Sequence, residues 1–224
     1  DVSAAQPLTG QVERFTLTRE IVLGAVRGAL YVPSAAAALP AAITAAAAGH
    51  VEPLLGLGAQ LGSRKGIQLS MGMHFSVVCA EDVPHLAAAP DLPGADFGRD
   101  YAALYQRVCE HWPRGAVPAA FYTTPPSPAP VLLFSGGIDP ATPPRHGAQA
   151  AAALGPMAQH VVVPNAGHGA LGIGCGRDLL YRFIDAADAA AARRLDASCV
   201  KAIPRPGVFI PMSSVPASGA EAAR

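Results

Sequence analysis

Apolar residues recur at helical spacing through the first half of the chain and gather into short unbroken runs in the second. Residues 17–32 combine helix formers with one apolar face and stop at Pro33. Residues 40–48 are rich in alanine and end at Gly49, the residue type that commonly follows a helix C-terminus. Residues 52–61 form a short apolar segment interspersed with glycine. Ile67, Met71, Phe75 and Val78 share one face of a further helix, which leads to Cys79, Glu81 and Asp82. Residues 100–112 predict an amphipathic helix with Tyr101, Leu104, Tyr105 and Val108 on one side. To about residue 114 the chain therefore reads as helical.

The pattern changes after a Pro-rich stretch, Thr123-Thr124-Pro125-Pro126-Ser127-Pro128-Ala129-Pro130. Val131-Leu132-Leu133-Phe134-Ser135 is a continuous apolar run closed by Gly136-Gly137, as expected of a parallel strand buried on both faces. Residues 145–154 predict a helix ended by Gly155-Pro156, and His160-Val161-Val162-Val163 a second strand ending at Pro164. Residues 177–192 predict one long helix with Leu180, Phe183, Ile184 and Ala187 facing inward. Strand, helix, strand, helix is the order of an α/β fold with a parallel sheet. The expected organisation is a mostly helical region 1–116, a Pro-rich linker 117–130, an α/β part 131–203 and a flexible tail 204–224.

Composition narrows the function. Hydrophobic residues make up 51% and charged residues 14% of the 224 positions, as in a globular protein with a core. Formal net charge is zero, which gives no basis for a nucleic-acid partner. The Ala-rich stretch is broken by Pro40 and falls short of the roughly 20 apolar residues that a membrane span needs, so no membrane partner is expected. Four cysteines, Cys79, Cys109, Cys175 and Cys199, permit three pairings or none. No two have C-x-x-C spacing, so zinc is not expected; no other metal and no cofactor is expected.

Two loops carry candidate chemistry. Gly136-Gly137-Ile138-Asp139-Pro140-Ala141-Thr142-Pro143-Pro144 follows the first strand, and Pro164-Asn165-Ala166-Gly167-His168-Gly169 the second. Both lie at strand carboxyl ends, where open α/β sheets place their active sites. A carboxylate there can fix the tautomer of a neighbouring imidazole and stabilise the imidazolium formed in catalysis. Taken singly, Asp139 is most simply a turn residue and His168 a surface histidine. Their placement after consecutive strands favours a catalytic pair.

Asp139-Pro140-Ala141-Thr142-Pro143 resembles the D-P-x-T-P acid loop of tripeptidyl-aminopeptidase-like and prolyl-aminopeptidase-like α/β-hydrolases. Gly167-His168-Gly169 resembles that family's histidine loop, and Cys109-Glu110-His111-Trp112-Pro113 its C-x-x-W-P element. Val78-Cys79-Ala80-Glu81-Asp82 is similar to its cap segment. The resemblance spans about residues 30–199. It implies the last βαβα unit of a hydrolase core preceded by a helical cap. It also implies disulfides Cys79–Cys109 and Cys175–Cys199, and an exported location that suits them. Glu81 and Asp82, at the end of an apolar cap helix, are then candidates to bind a substrate's α-ammonium group.

One departure matters. In α/β-hydrolases the triad runs Ser, acid, His along the chain, with the serine in G-x-S-x-G. None of Ser3, Ser34, Ser63, Ser70, Ser76, Ser127 and Ser135 has glycine at both minus two and plus two. The serine, its oxyanion hole and the remaining strands are expected upstream of Asp1, in a missing N-terminal hydrolase half. The expected function is that of an aminopeptidase part that is inactive alone. An esterase on small ester or amide substrates and a catalytically dead binding module are the alternatives.

Overall fold

A computed structural model describes residues 1–5, 9–62, 70–86 and 99–211. They divide into two compact units: Asp1–Leu61 with Pro125–Arg224, and Gly62–Thr124. The boundary falls inside the region 1–116 that the sequence treats as one. Among the described residues, no helix is long and apolar enough to cross a membrane.

The first unit opens on a hairpin that helical spacing did not anticipate. Strand β1 (Val2–Ala5) pairs antiparallel with β2 (Val12–Phe15), with Val2 opposite Phe15 and Ala5 opposite Val12. Gly10, at φ 70°, supplies a backbone conformation near the turn that other residues resist. Helix α1 (Arg19–Leu30) follows. Thr18 caps it by accepting the Ile21 N–H, and Glu20 and Arg27 complement its dipole at either end. Helices α2 (Pro33–Ala36), α3 (Leu39–Ala47) and α4 (Glu52–Gly62) complete the segment. Ala25, Ala29, Ala35, Leu39, Ala42 and Leu54 form a core whose small side chains allow close helix packing.

In the second unit, α5 (Met71–Glu81) and α6 (Arg99–Cys109) are tied by the buried disulfide Cys79–Cys109. Phe75 packs with Tyr105 and Trp112, His74 Nε2 and Tyr105 Oη lie 2.9 Å apart, and Trp112 donates to Ser76 Oγ. The expected apolar face of α5 is only partly internal: Met71 is half exposed, and Ile67 lies outside the described residues. On α6, Tyr105 and Val108 are half-buried while Leu104 is exposed; the side chain of Tyr101 lies outside the described residues.

The α/β part returns to the first unit. Strands β3 (Val131–Gly136) and β4 (Ala158–Val163) are parallel, in register from Val131 opposite Ala158 to Gly136 opposite Val163. Helix α7 (Pro144–Leu154) connects them and packs on both. Val161, Val163, Ala166, Leu179, Leu195 and Val200 form the core. Burial on both faces of the strands does not hold: Val131 to Phe134 are only half-buried and Val162 is exposed. The described sheet has two strands, too few to enclose both faces.

The expected long helix 177–192 is two helices, α8 (Gly176–Ile184) and α9 (Ala189–Ala192). Asp188 caps α9 by accepting the Ala191 N–H at 2.7 Å, so its carboxylate starts a helix instead of continuing one. Leu179 is the fully buried anchor of α8, whereas Ile184 is exposed and Ala187 lies beyond its end. Cys175–Cys199 joins the start of α8 to the turn Ser198–Ala202. The Gln159 side-chain amide exchanges two hydrogen bonds with the backbone of Leu195, at 2.6 and 3.1 Å, fixing that return segment beside β4. The expected tail has no regular secondary structure and is exposed from residue 204 to 210, with Phe209 N–H donating to the Ala37 carbonyl; residues 212–224 lie outside the description.

Candidate active site

Asp139 and His168 meet because their strands end side by side. β3 and β4 stop in register at Gly136 and Val163, and the loops that leave them are laced together. Gly137 N–H donates to the Val163 carbonyl at 2.8 Å and Ile138 N–H to the Ala166 carbonyl at 3.1 Å. A Cβ at Gly136 would lie 2.0 Å from the Gly167 oxygen, so glycine is required for this approach. At Gly167 a Cβ would lie 2.3 Å from the Tyr31 oxygen, where the histidine loop rests on the end of α1.

Within this frame His168 Nδ1 lies 2.9 Å from Asp139 Oδ2 and 3.2 Å from Oδ1. The carboxylate is saturated with donors. Ala141 N–H and Thr142 N–H donate to Oδ1 at 2.8 and 3.0 Å, and the Thr142 hydroxyl donates to Oδ2 at 2.8 Å. Burial works against the charge on Asp139. The Thr142 and Ala141 N–H groups, the Thr142 hydroxyl and His168 more than offset it, holding the carboxyl below the usual aspartate range. An ionised Asp139 accepts the proton on Nδ1 and leaves Nε2 of a neutral His168 as an acceptor. The side chain of Asp139 is 5% exposed and that of His168 45%, so the acid is enclosed while the imidazole is open to solvent. Among the described residues, no hydrogen bond reaches His168 Nε2. An imidazole held in this way can take a proton from a nucleophile and return it to a leaving group.

A second histidine pair is closed to substrate. His160 Nε2 lies 2.9 Å from the Oγ of Ser135, which is buried. A Cβ at Gly147 on α7 would lie 2.4 Å from His160 Nε2 and 2.6 Å from Ser135 Oγ, so the helix backbone covers both atoms. Burial pushes the His160 imidazole below its ordinary pKa. Ser135 and His160 thus form a polar brace between sheet and helix, in keeping with the rejection of Ser135 as a nucleophile on sequence grounds.

Glu81 and Asp82 belong to the second unit. Glu81 ends α5 and its backbone carbonyl accepts the Tyr122 hydroxyl at 2.9 Å. Asp82 is exposed at the C-cap. Their neighbour Ala80 lines an open cavity of about 590 Å³ with His85, Arg114, Val117 and Tyr122. Among the described residues, no group of three His, Cys, Asp or Glu side chains is arranged to hold a metal ion.

Sequence reasoning missed two participants. Thr142 lies inside the D-P-x-T-P run, and a threonine three residues after an aspartate is a signal for the side-chain-to-backbone turn found here. Tyr31 accepts the His168 N–H through its carbonyl at 3.0 Å, and its ring meets the imidazole edge-on, with centroids 5.1 Å apart. Far upstream, with no local motif, Tyr31 carried no signal that could have linked it to His168.

Residues 94–199 match the family model described as TAP-like protein (Abhydrolase_4). The matched stretch contains α6, both strands, the acid and histidine loops and α8. No curated protein and no solved structure matches the chain. The match covers less than half of the chain, and it makes residues 94–199 similar to an α/β-hydrolase domain of the TAP-like kind.

Proposed function

We propose that this chain supplies the acid, Asp139, and the general base, His168, of a serine hydrolase whose nucleophile lies in a polypeptide segment outside it. The observation that carries this reading is the 2.9 Å contact between a buried, donor-saturated carboxylate and the Nδ1 of an open imidazole. No serine before Asp139 sits in G-x-S-x-G. A serine docked at Nε2 would pass its proton to His168 as it attacks, and the imidazolium would return that proton to the leaving amine. The partner is a hydrolase half that adds strands beside β3 and brings the oxyanion donors.

The substrate class we infer is peptides with a free N-terminus. Glu81, or Asp82 at shorter reach, would take the α-ammonium through a charge-assisted hydrogen bond. The support is the sequence resemblance of the segment Val78-Cys79-Ala80-Glu81-Asp82. The two disulfides support an exported location.

The test uses the longer polypeptide that includes the nucleophile. Glu81→Gln should weaken turnover of an amino-acid aryl-amide while sparing a simple ester that lacks an amine. Equal losses on both substrates would make Glu81 structural, and no loss on either would remove it from the site.

A further inference from the structure

The polar contacts of the His168 ring all fall on one atom: Nδ1 meets Asp139 Oδ2 at 2.9 Å, Asp139 Oδ1 at 3.2 Å and Thr142 Oγ1 at 3.3 Å. Among the described residues no hydrogen bond holds the Nε2 end, so the ring leaves its direction whenever the side chain leaves that one contact. His168 is also nearly half exposed, so little packing restrains it. A ring that must present Nε2 in one direction needs a second contact whose own rotamer is locked.

Tyr31 is placed to be that contact. Its carbonyl receives the His168 N–H at 3.0 Å, which sets the backbone from which the imidazole projects. Its ring meets the imidazole at 72° with centroids 5.1 Å apart, a favourable edge arrangement for aromatic groups. The tyrosine is itself held. It caps α1, with its N–H on the Gly28 carbonyl, and the Arg27 guanidinium carbon lies 5.6 Å from its ring centroid. Gly167 allows the loop to descend onto Tyr31, because any side chain there would strike the Tyr31 carbonyl. One residue therefore references both the backbone and the ring of His168 to a regular helix.

We propose that Tyr31 is a positioning residue for His168, holding the imidazole so that Nδ1 stays on Asp139 and Nε2 faces the incoming nucleophile. This rests on His168 being the general base, and it adds α1 to the elements that build the site. The contact uses the faces and edges of rings, so the Tyr31 hydroxyl is dispensable and phenylalanine should substitute.

The test reads the tautomer of His168 in the 224-residue chain, by long-range proton–nitrogen correlation at mildly alkaline pH. Wild type and Tyr31→Phe should show a single Nδ1–H tautomer. Tyr31→Leu and Tyr31→Met should lose it to a mixture while their melting transitions and methyl spectra stay native. A retained Nδ1–H tautomer in either aliphatic variant would overturn the proposal, as would its loss in Tyr31→Phe. Failure of both aliphatic variants to fold would overturn it too, by making Tyr31 a structural residue. Asp139→Asn separates this proposal from the reading beneath it. If that variant keeps the wild-type tautomer, Asp139 does not orient His168 and the catalytic pair itself fails. If it loses the tautomer and the aliphatic Tyr31 variants do not, only the role of Tyr31 fails.

Discussion

Asp139 accepts from two backbone N–H groups, a hydroxyl and an imidazole. Thr142→Val removes the hydroxyl and keeps the shape, so about 1–2 kcal/mol of folding stability should be lost at neutral pH. The pH dependence has a definite sign. Because the folded-state pKa of Asp139 is depressed, its stabilisation is complete above the unfolded carboxyl value of about 4 and disappears as pH falls through the folded value. The difference between Thr142→Val and wild type should therefore be largest near neutrality and shrink in acid, as measured by urea unfolding across that range. His160 acts in a separate window. Burial favours its neutral form, so the unfolded state takes up protons first as pH drops through about 6.5, and stability falls there. His160→Gln should flatten that part of the profile; an unchanged slope would remove the brace from the account.

Among the elements, the strands were the most legible. A continuous β-branched run bounded by proline and glycine identifies β4, and the similar run before Gly136-Gly137 identifies β3. The acid and histidine loops follow from those ends, which is why Asp139 and His168 could be paired from sequence. The hairpin β1–β2 was not legible, because its strands are four residues each and too short to show a period. The long helix 177–192 was over-read, since the helical pattern of alanines hides the cap formed by Asp188. The site is sensitive to the packing of these elements. Gly147→Ala should push α7 away from Ser135 and His160 and cost about 1–3 kcal/mol, visible as a lowered melting temperature. The disulfide Cys175–Cys199 closes a loop of 24 residues, and replacing both cysteines with alanine should cost about 3 kcal/mol in the chain-entropy model. A change of under 1 kcal/mol would mean that the hydrogen bonds of Gln159 and Asn165 hold the return segment without it.

At the scale of the whole molecule, the described α/β part brings a buried carboxylate and an open imidazole together on a two-stranded sheet, with no serine in G-x-S-x-G before Asp139 in the sequence. The sequence could indicate the pairing through the placement of Asp139 and His168 after consecutive strands. It could not indicate that residues 1–61 join the α/β part while 62–124 form their own unit, because helical periodicity carries no information about which core a helix enters. The central claim is that His168 is the general base of a hydrolase completed by a nucleophile from outside this chain. Its most direct measurement is turnover of an amino-acid aryl-amide by the polypeptide that includes the nucleophile, compared with its His168→Ala variant and with the 224-residue chain alone. The account predicts that kcat falls by about 10⁴-fold or more in the variant, with KM little changed, and that the chain alone shows no turnover. Undiminished turnover in the variant, or turnover by the chain alone that His168→Ala abolishes, would contradict it.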